Sequence, residues 1–254
     1  MTITILGTGT SQGVPVIGCD CDVCRSLDFR DKRLRVSVHV ESEGRSLVID
    51  TGPDFRTQAL RERIRHLDAV LFTHAHKDHT AGLDDVRPFN FRQNTDIPLY
   101  GQAAVLEQIR VEFAYAFAEH KYPGIPRLEL NPIGNEVFSI LGLDILPVEV
   151  MHHRLPVFGY RIGDFVYITD ANFIPPAELE KIRGCKVLVL NALQRGPKHI
   201  SHFTLPEALE VIDQIRPEAA YLTHISHKMG LHQEVEASLP PGVYLAYDGL
   251  RFSL

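Results

Sequence analysis

Fold and chemistry are both written in the stretch Asp68-Ala69-Val70-Leu71-Phe72-Thr73-His74-Ala75-His76-Lys77-Asp78-His79. Its first half is an apolar strand, and its second half packs three histidines and an aspartate into six residues. On extended backbone alternate side chains share a face, so His74 and His76 point the same way, while a following turn lets Asp78 and His79 address an adjacent position. Imidazoles and a carboxylate this dense repel or lose hydration unless a divalent cation pairs with them. Four ligands in a row cannot surround two ions, so other strand ends should supply the rest.

Three strand ends have the required layout. Val148-Glu149-Val150-Met151-His152-His153 ends in two histidines, Val166-Tyr167-Ile168-Thr169-Asp170 in an aspartate, and Ala220-Tyr221-Leu222-Thr223-His224 in a histidine. Further out, short β-branched runs predict strands at 2–6, 36–40, 46–49, 69–72, 143–150, 165–168, 187–190 and 219–222. Helical patterns cover 55–64, 103–118, 177–182 and 205–215, the last opened by Thr204 with Pro206 and Glu207 as a capping box. Residues 123–132, with Gly124, Pro126 and Pro132, read as a loop bordering the site. Early strands follow one another directly and later ones alternate with helices, so the expectation is an α/β chain with stacked mixed sheets under helices, in one domain over 1–254.

The 254 residues are 44% apolar and 23% charged, as in ordinary globular chains, and no run approaches a membrane span. The start, Met1-Thr2-Ile3-Thr4-Ile5-Leu6, lacks the regions of a signal peptide, so a cytoplasmic location is expected. A formal charge of -6 provides no global field for nucleic acid or anionic lipid. Of four cysteines, Cys185 precedes an apolar run and reads as core, while Cys19, Cys21 and Cys24 form C-x-C-x-x-C, able to converge on one ion that still lacks a fourth ligand.

His74, His76, Asp78 and His79 match the H-x-H-x-D-H signature of the metallo-β-lactamase superfamily, which this chain resembles over nearly its whole length. The resemblance implies an αβ/βα sandwich, two mixed β-sheets flanked by helices. It implies a first metal held by His74, His76 and one of His152 and His153, with His152 preferred because His152-His153-Arg154-Leu155 is similar to an H-x-[KR]-L stretch and because His152 continues the Val148, Val150 face. Asp78, His79 and His224 would hold the second metal, Asp170 would bridge both, and Asp50 would brace the histidine loop. Aspartate at 170 and histidine at 76 disfavour the β-lactamase and flavodiiron branches. Ser201-His202-Phe203-Thr204 resembles the H-x-T element of the phosphodiesterase branch, implying a catalytic role for His202 beside Asp78.

Within that branch the chain is similar to the phosphoribosyl cyclic phosphate phosphodiesterases of phosphonate degradation. The shared elements are Gly7-Thr8-Gly9-Thr10-Ser11-Gln12-Gly13-Val14-Pro15, the three-cysteine loop and Thr223-His224-Ile225-Ser226-His227. This implies His227 as fourth ligand of a structural zinc with Cys19, Cys21 and Cys24. The cofactors so implied are two divalent ions, manganese or zinc, and one structural zinc. The leading expectation is hydrolysis of a small cyclic phosphodiester such as 5-phosphoribosyl 1,2-cyclic phosphate, with no nucleic acid or membrane partner and with a homodimer compatible. The competing readings are an RNA-processing nuclease and a non-catalytic zinc protein like the superfamily member of pyrroloquinoline quinone synthesis. Arg33, Arg35, Arg87 and Arg154 are candidates to grip a second phosphate.

Overall fold

Strands buried on both faces need apolar residues in both registers, and the chain supplies them in β-branched runs. The computed structural model describes residues 1–120 and 122–254. One seven-stranded sheet contains β1 (Thr2–Gly7), β2 (Ser37–Ser42), β3 (Arg45–Ile49), β4 (Ala69–Leu71), β5 (Ile97–Gly101) and β6 (Leu128–Pro132). The other contains β7 (Phe138–Ile140), β8 (Leu143–His152), β9 (Leu155–Ile162), β10 (Phe165–Ile168), β11 (Val187–Asn191), β12 (Ala219–Thr223) and β13 (Val243–Leu245). The last strand, β14 (Arg251–Ser253), returns to the first sheet beside β1. Strands β3 to β6 are parallel, as are β10 to β13, and the remaining pairs are antiparallel.

The two-residue period sorts side chains into three cores. Ile3, Leu47, Ile49 and Leu71 meet Tyr160, Phe165, Tyr167 and Val189 between the sheets. The alternate residues Val48 and Val70 face helices outside the first sheet, and Val166, Leu188 and Leu190 face helices outside the second. The result is the expected sandwich of two mixed sheets flanked by helices. Parallel strands end together at one edge, which is where a ligand site forms in such sheets.

Several local expectations are corrected. Residues 128–132 are not loop: Leu128 and Leu130 alternate with polar residues and pair with β5, an edge strand disguised by prolines on either side. The strand β9 also escapes the pattern because of Pro156 and Gly159; a Cβ at Gly159 would press on the backbone of Tyr167. The helix expected over 103–118 breaks at Phe113 into Ala103–Glu112 and Ala114–Phe117. The capped helix Leu205–Ile215 is as expected, with the Thr204 amide donating to the Glu207 carboxylate at 3.0 Å.

Candidate metal centre

Side chains reach the common edge because the backbone turns sharply where strands stop. Asp50, Asp170 and His224 directly follow β3, Thr169 after β10, and β12, and each has a left-handed backbone, with φ of 63°, 56° and 53°. For residues other than glycine that conformation costs free energy, and it persists where the surroundings over-determine it. It swings each side chain from the sheet face toward the edge. In the β8–β9 hairpin His152 pairs with Leu155, so His152 is the last buried strand residue, while His153 is at the tip with φ 57° and points to solvent. The structure therefore brings His152, and not its neighbour, to His74 and His76.

The histidine loop is fastened to the Asp50 loop by backbone. The amide of Thr51 donates to the carbonyl of His79 at 2.8 Å, and that of Gly82 to the carbonyl of Thr51 at 2.9 Å. Side chains cannot fit this close: a Cβ at Gly52 would collide with the carbonyl of Asp78, and one at Gly82 with the carbonyl of Gly52. Fully buried Asp50 accepts from the amide and hydroxyl of Thr73 at 2.9 and 2.8 Å and lies 2.7 Å from Nδ1 of His79. That bond leaves Nε2 of His79 facing inward, the arrangement by which a carboxylate orients a ligating imidazole.

Ligand-type atoms converge in overlapping groups, each with its atoms within 4.8 Å of one another: His74, His76 and His152; Asp78, His79 and His224; His74, His79 and Asp170; and His152, Asp170 and His202. Asp170 is central, with its carboxylate oxygens 3.2 Å from Nε2 of both His79 and His224. Burial would raise the Asp170 carboxyl, but His224 and His79 outweigh it and hold it well below the usual carboxylate range. Burial likewise opposes charge on His79, yet Asp50, Asp170 and Asp78 keep it well above an ordinary histidine. Desolvation, reinforced by His79, pulls His74 well below.

The donor set fits divalent cations. Nδ1 of His224 is buried without a hydrogen-bond partner among the described residues, and Nε2 of His79 and of His224 meet the Asp170 and Asp78 carboxylates outside hydrogen-bond geometry; a buried nitrogen left so is costly unless something coordinates it. Ring nitrogens Nε2 of His74 and Nδ1 of His76 face each other at 3.0 Å, as two ligand atoms aimed at one point would.

His202 stands over this group with Nε2 3.0 Å from Asp170, its ring stacked on His224 at 4.8 Å. Burial lowers it to about 4, against the bond from Asp170, which raises it. Beside it opens a cavity of about 390 Å³ lined by Ser11, Gln12, Gln194, Lys198, His199 and Lys228. His199 was missed by sequence reasoning, although its Nδ1 lies 3.1 Å from Nδ1 of His202. The signal available was its spacing, three residues before His202 after the Gly196-Pro197 turn.

At the far side of that cavity Cys19, Cys21 and Cys24 surround Nδ1 of His227 at 3.3, 3.4 and 3.6 Å. The backbone bond at Cys24 lowers the Cys21 thiol to about 6, and burial pushes the Cys24 thiol to about 11. The segment carrying His224 and His227 is clasped by backbone, with the amide of Ile225 on Thr8 and that of Ser226 on Leu193 at 2.8 and 2.9 Å. Cys185 is buried in the core, as expected.

For three of the four arginines the expectation is corrected. Arg33 is buried and committed, donating to Thr8 Oγ1 at 2.9 Å and to the Ala246 carbonyl at 2.7 Å. Arg35 pairs with Asp54 at 3.1 Å, and Arg87 with Asp84. Arg154 is exposed at the tip of the β8–β9 hairpin, two residues from His152. No helix among the described residues is long and apolar enough to cross a membrane.

Comparison with known proteins places this geometry. The family model of the Beta-lactamase superfamily domain matches residues 45–225. A solved structure described as a new diphosphatase from the PhnP family is 41% identical, with a TM-score of 0.93 over 100% of this chain and 97% of that one. An octanoyltransferase of Porphyromonas gingivalis is 42% identical over 98% of this chain, but the chain spans about half of its length, 51%. A ribonuclease Z of Methanopyrus kandleri is 28% identical over 83% of this chain and 88% of its own. The chain belongs to the metallo-β-lactamase superfamily.

Proposed function

We propose that this member of the metallo-β-lactamase superfamily is a dinuclear-metal phosphodiesterase hydrolysing a small cyclic phosphodiester such as 5-phosphoribosyl 1,2-cyclic phosphate. The observation that carries the reading is His202, poised 3.0 Å from the central Asp170 at the mouth of a convergent histidine and aspartate set. The 41% identical diphosphatase supports phosphorus as the centre attacked.

His74, His76 and His152 would hold one divalent ion, manganese or zinc, Asp78, His79 and His224 the other, and Asp170 both. Such a pair supplies Lewis acidity toward a phosphoryl oxygen and a water acidic enough to attack phosphorus near neutral pH. Asp50 keeps Nε2 of His79 turned inward. As the P–O ester bond breaks, the Nε2–H of His202 donates a hydrogen bond to the departing oxygen and stabilises its developing charge, a contribution of roughly a hundredfold, and water supplies the proton that oxygen takes up. The thiolates of Cys19, Cys21 and Cys24 with His227 suit zinc, a soft-ligand site that anchors the segment carrying His224.

A compact substrate is favoured over RNA by the formal charge of -6 and by the pairing of Arg35 and Arg87 with acids. Half of the octanoyltransferase has no counterpart in this chain, so its name does not compete. The test is the metal-quantified protein offered the cyclic ribose phosphate, an aryl phosphodiester and a precursor tRNA side by side. Turnover of the first is expected; cleavage of the tRNA alone would establish the nuclease reading instead. His202→Ala should abolish turnover with both ions retained, and loss of an ion would make His202 a ligand.

A further inference from the structure

The cavity beside His202 runs against the sign of a chain whose formal charge is -6: among the described residues its lining includes Lys198 and Lys228 and no carboxylate. A larger cavity of about 560 Å³ at the opposite strand ends differs, since there Arg45 meets Glu43 at 2.8 Å and Arg251 meets Glu62 at 3.7 Å. The cavity beside His202, about 390 Å³, falls in the range of roughly 300–1,000 Å³ that encloses a small ligand. His202 and His224 form part of its wall. A diester whose phosphorus lies at the metal centre therefore extends its remainder between the other walls.

Two segments build those walls, and backbone bonds hold them side by side. The amide of Ile225 donates to the Thr8 carbonyl at 2.8 Å, which seats the strip 224–228 against the loop after β1. That loop turns at 10–13, where Gly13 has φ 65° and its amide donates to the Thr10 carbonyl at 2.9 Å, leaving Ser11 and Gln12 exposed at the tip. On the strip, Met229 is fully buried and its amide donates to the Ser226 carbonyl at 3.1 Å, so the backbone around Lys228 is fixed while the residue itself is exposed. Several polar groups of the lining are already spent: Gln194 donates to the Pro197 carbonyl, Ser226 Oγ to the Leu193 carbonyl, and Lys198 pairs with Glu207 at 2.8 Å. Lys228 Nζ, Gln12 Nε2 and Ser11 Oγ have no partner among the described residues.

We infer that Lys228, with Gln12 and Ser11, binds a second, terminal phosphate of the diester and so decides which diesters are turned over. An ammonium on a flexible stem is a point charge that needs no fork geometry, and amide and hydroxyl protons complete the shell around phosphate oxygens. Arg33, Arg35 and Arg87 are spent elsewhere, which leaves Arg154 at the β8–β9 tip as the competing grip. The catalytic consequence rests on the phosphodiesterase reading, whereas binding at the subsite does not.

The test offers the metal-loaded full chain 5-phosphoribosyl 1,2-cyclic phosphate and ribosyl 1,2-cyclic phosphate, which lacks the 5-phosphate. Wild type should prefer the first by about tenfold to a hundredfold in kcat/KM, the effect of a hydrogen bond to a charged group. Lys228→Ala should erase most of that preference through KM, because a phosphate held away from the reacting atoms is bound alike in ground and transition states. Lys228→Arg should retain it, and Gln12→Ala should lower it by less than Lys228→Ala does. Equal turnover of the pair by wild type overturns the inference. So does a Lys228→Ala variant that keeps the preference or loses activity equally on both diesters, and so does Arg154→Ala erasing the preference instead. A wild type that turns over neither diester refutes the phosphodiesterase reading, and calorimetric titration with the same pair then decides the subsite. Tighter binding of the phosphorylated member that Lys228→Ala loses would support it, and equal binding of the two would overturn it.

Discussion

The histidine and aspartate centre and the cysteine cluster solve the same problem, gathering metal-type ligands, by opposite means. The first takes its ligands from four separated segments, at the ends of β4, β8, β10 and β12, and depends on two sheets holding those ends in register. The second takes three of its four members from six residues of one loop and borrows only His227 from afar. One is topology-dependent and buried except at His76 and Asp78, the other local and half exposed, and the seam between them is the short strip from His224 to His227. A site distributed over rigid strand ends gains precision, and a local clip gains independence.

That contrast can be broken or sharpened experimentally. Asp170→Asn should have the largest effect: turnover falls by about a thousandfold or more, the several kcal/mol expected when a two-ion clamp is lost, and metal analysis shows depletion of the histidine centre alone. Depletion of the cysteine cluster as well would deny its independence.

Next comes the seam itself. Asp248 supports it, accepting from Thr8 at 2.7 Å and from the Leu34 amide at 2.8 Å, and burial pushes its carboxyl up to about 6. The folded chain keeps a proton that the unfolded chain releases near 3.8, so this stabilisation is fully present below that pH and is lost as pH rises through about 6. A displacement of that size corresponds to about 3 kcal/mol. Denaturant unfolding from pH 4 to 6 should therefore show stability falling more steeply in the wild type than in Asp248→Asn; parallel curves would contradict it. Gly52→Ala, which drives a methyl into the Asp78 carbonyl, should cost about 1–3 kcal/mol and lower Tm by roughly 2–10 °C, loosening the histidine centre and sparing the cysteine cluster. The smallest change in turnover is expected for Cys21→Ser: zinc falls by one per chain, yet activity drops less than about tenfold, because Thr8 and Leu193 still clasp the His224 strip. A collapse equal to that of Asp170→Asn would make the two clusters one unit.

The same contrast explains what could be read in advance. The run His74 to His79 and the cysteine spacing are local, and Asp170 and His224 were visible as polar residues closing apolar strands. Which of His152 and His153 turns inward was legible in the alternation, since His152 continues the Val148 and Val150 face, although it holds only because the β8–β9 hairpin reverses just beyond His152. His199 was invisible because its place beside His202 comes from a loop folding back rather than from a periodic pattern. Prolines and glycines hid β6 and β9, whose pairing partners lie across the sheets. Arg33, seemingly free to bind phosphate, is claimed by Thr8 and Ala246, a contact that no spacing foretells.

The central claim is a phosphodiesterase that needs two ions at the strand ends. Its most direct test is titration of manganese into protein stripped at the histidine centre, with turnover of the cyclic ribose phosphate followed at each addition. Activity should rise and level off at two bound ions per chain. Two bound ions without turnover, or full turnover before any is added, would contradict it.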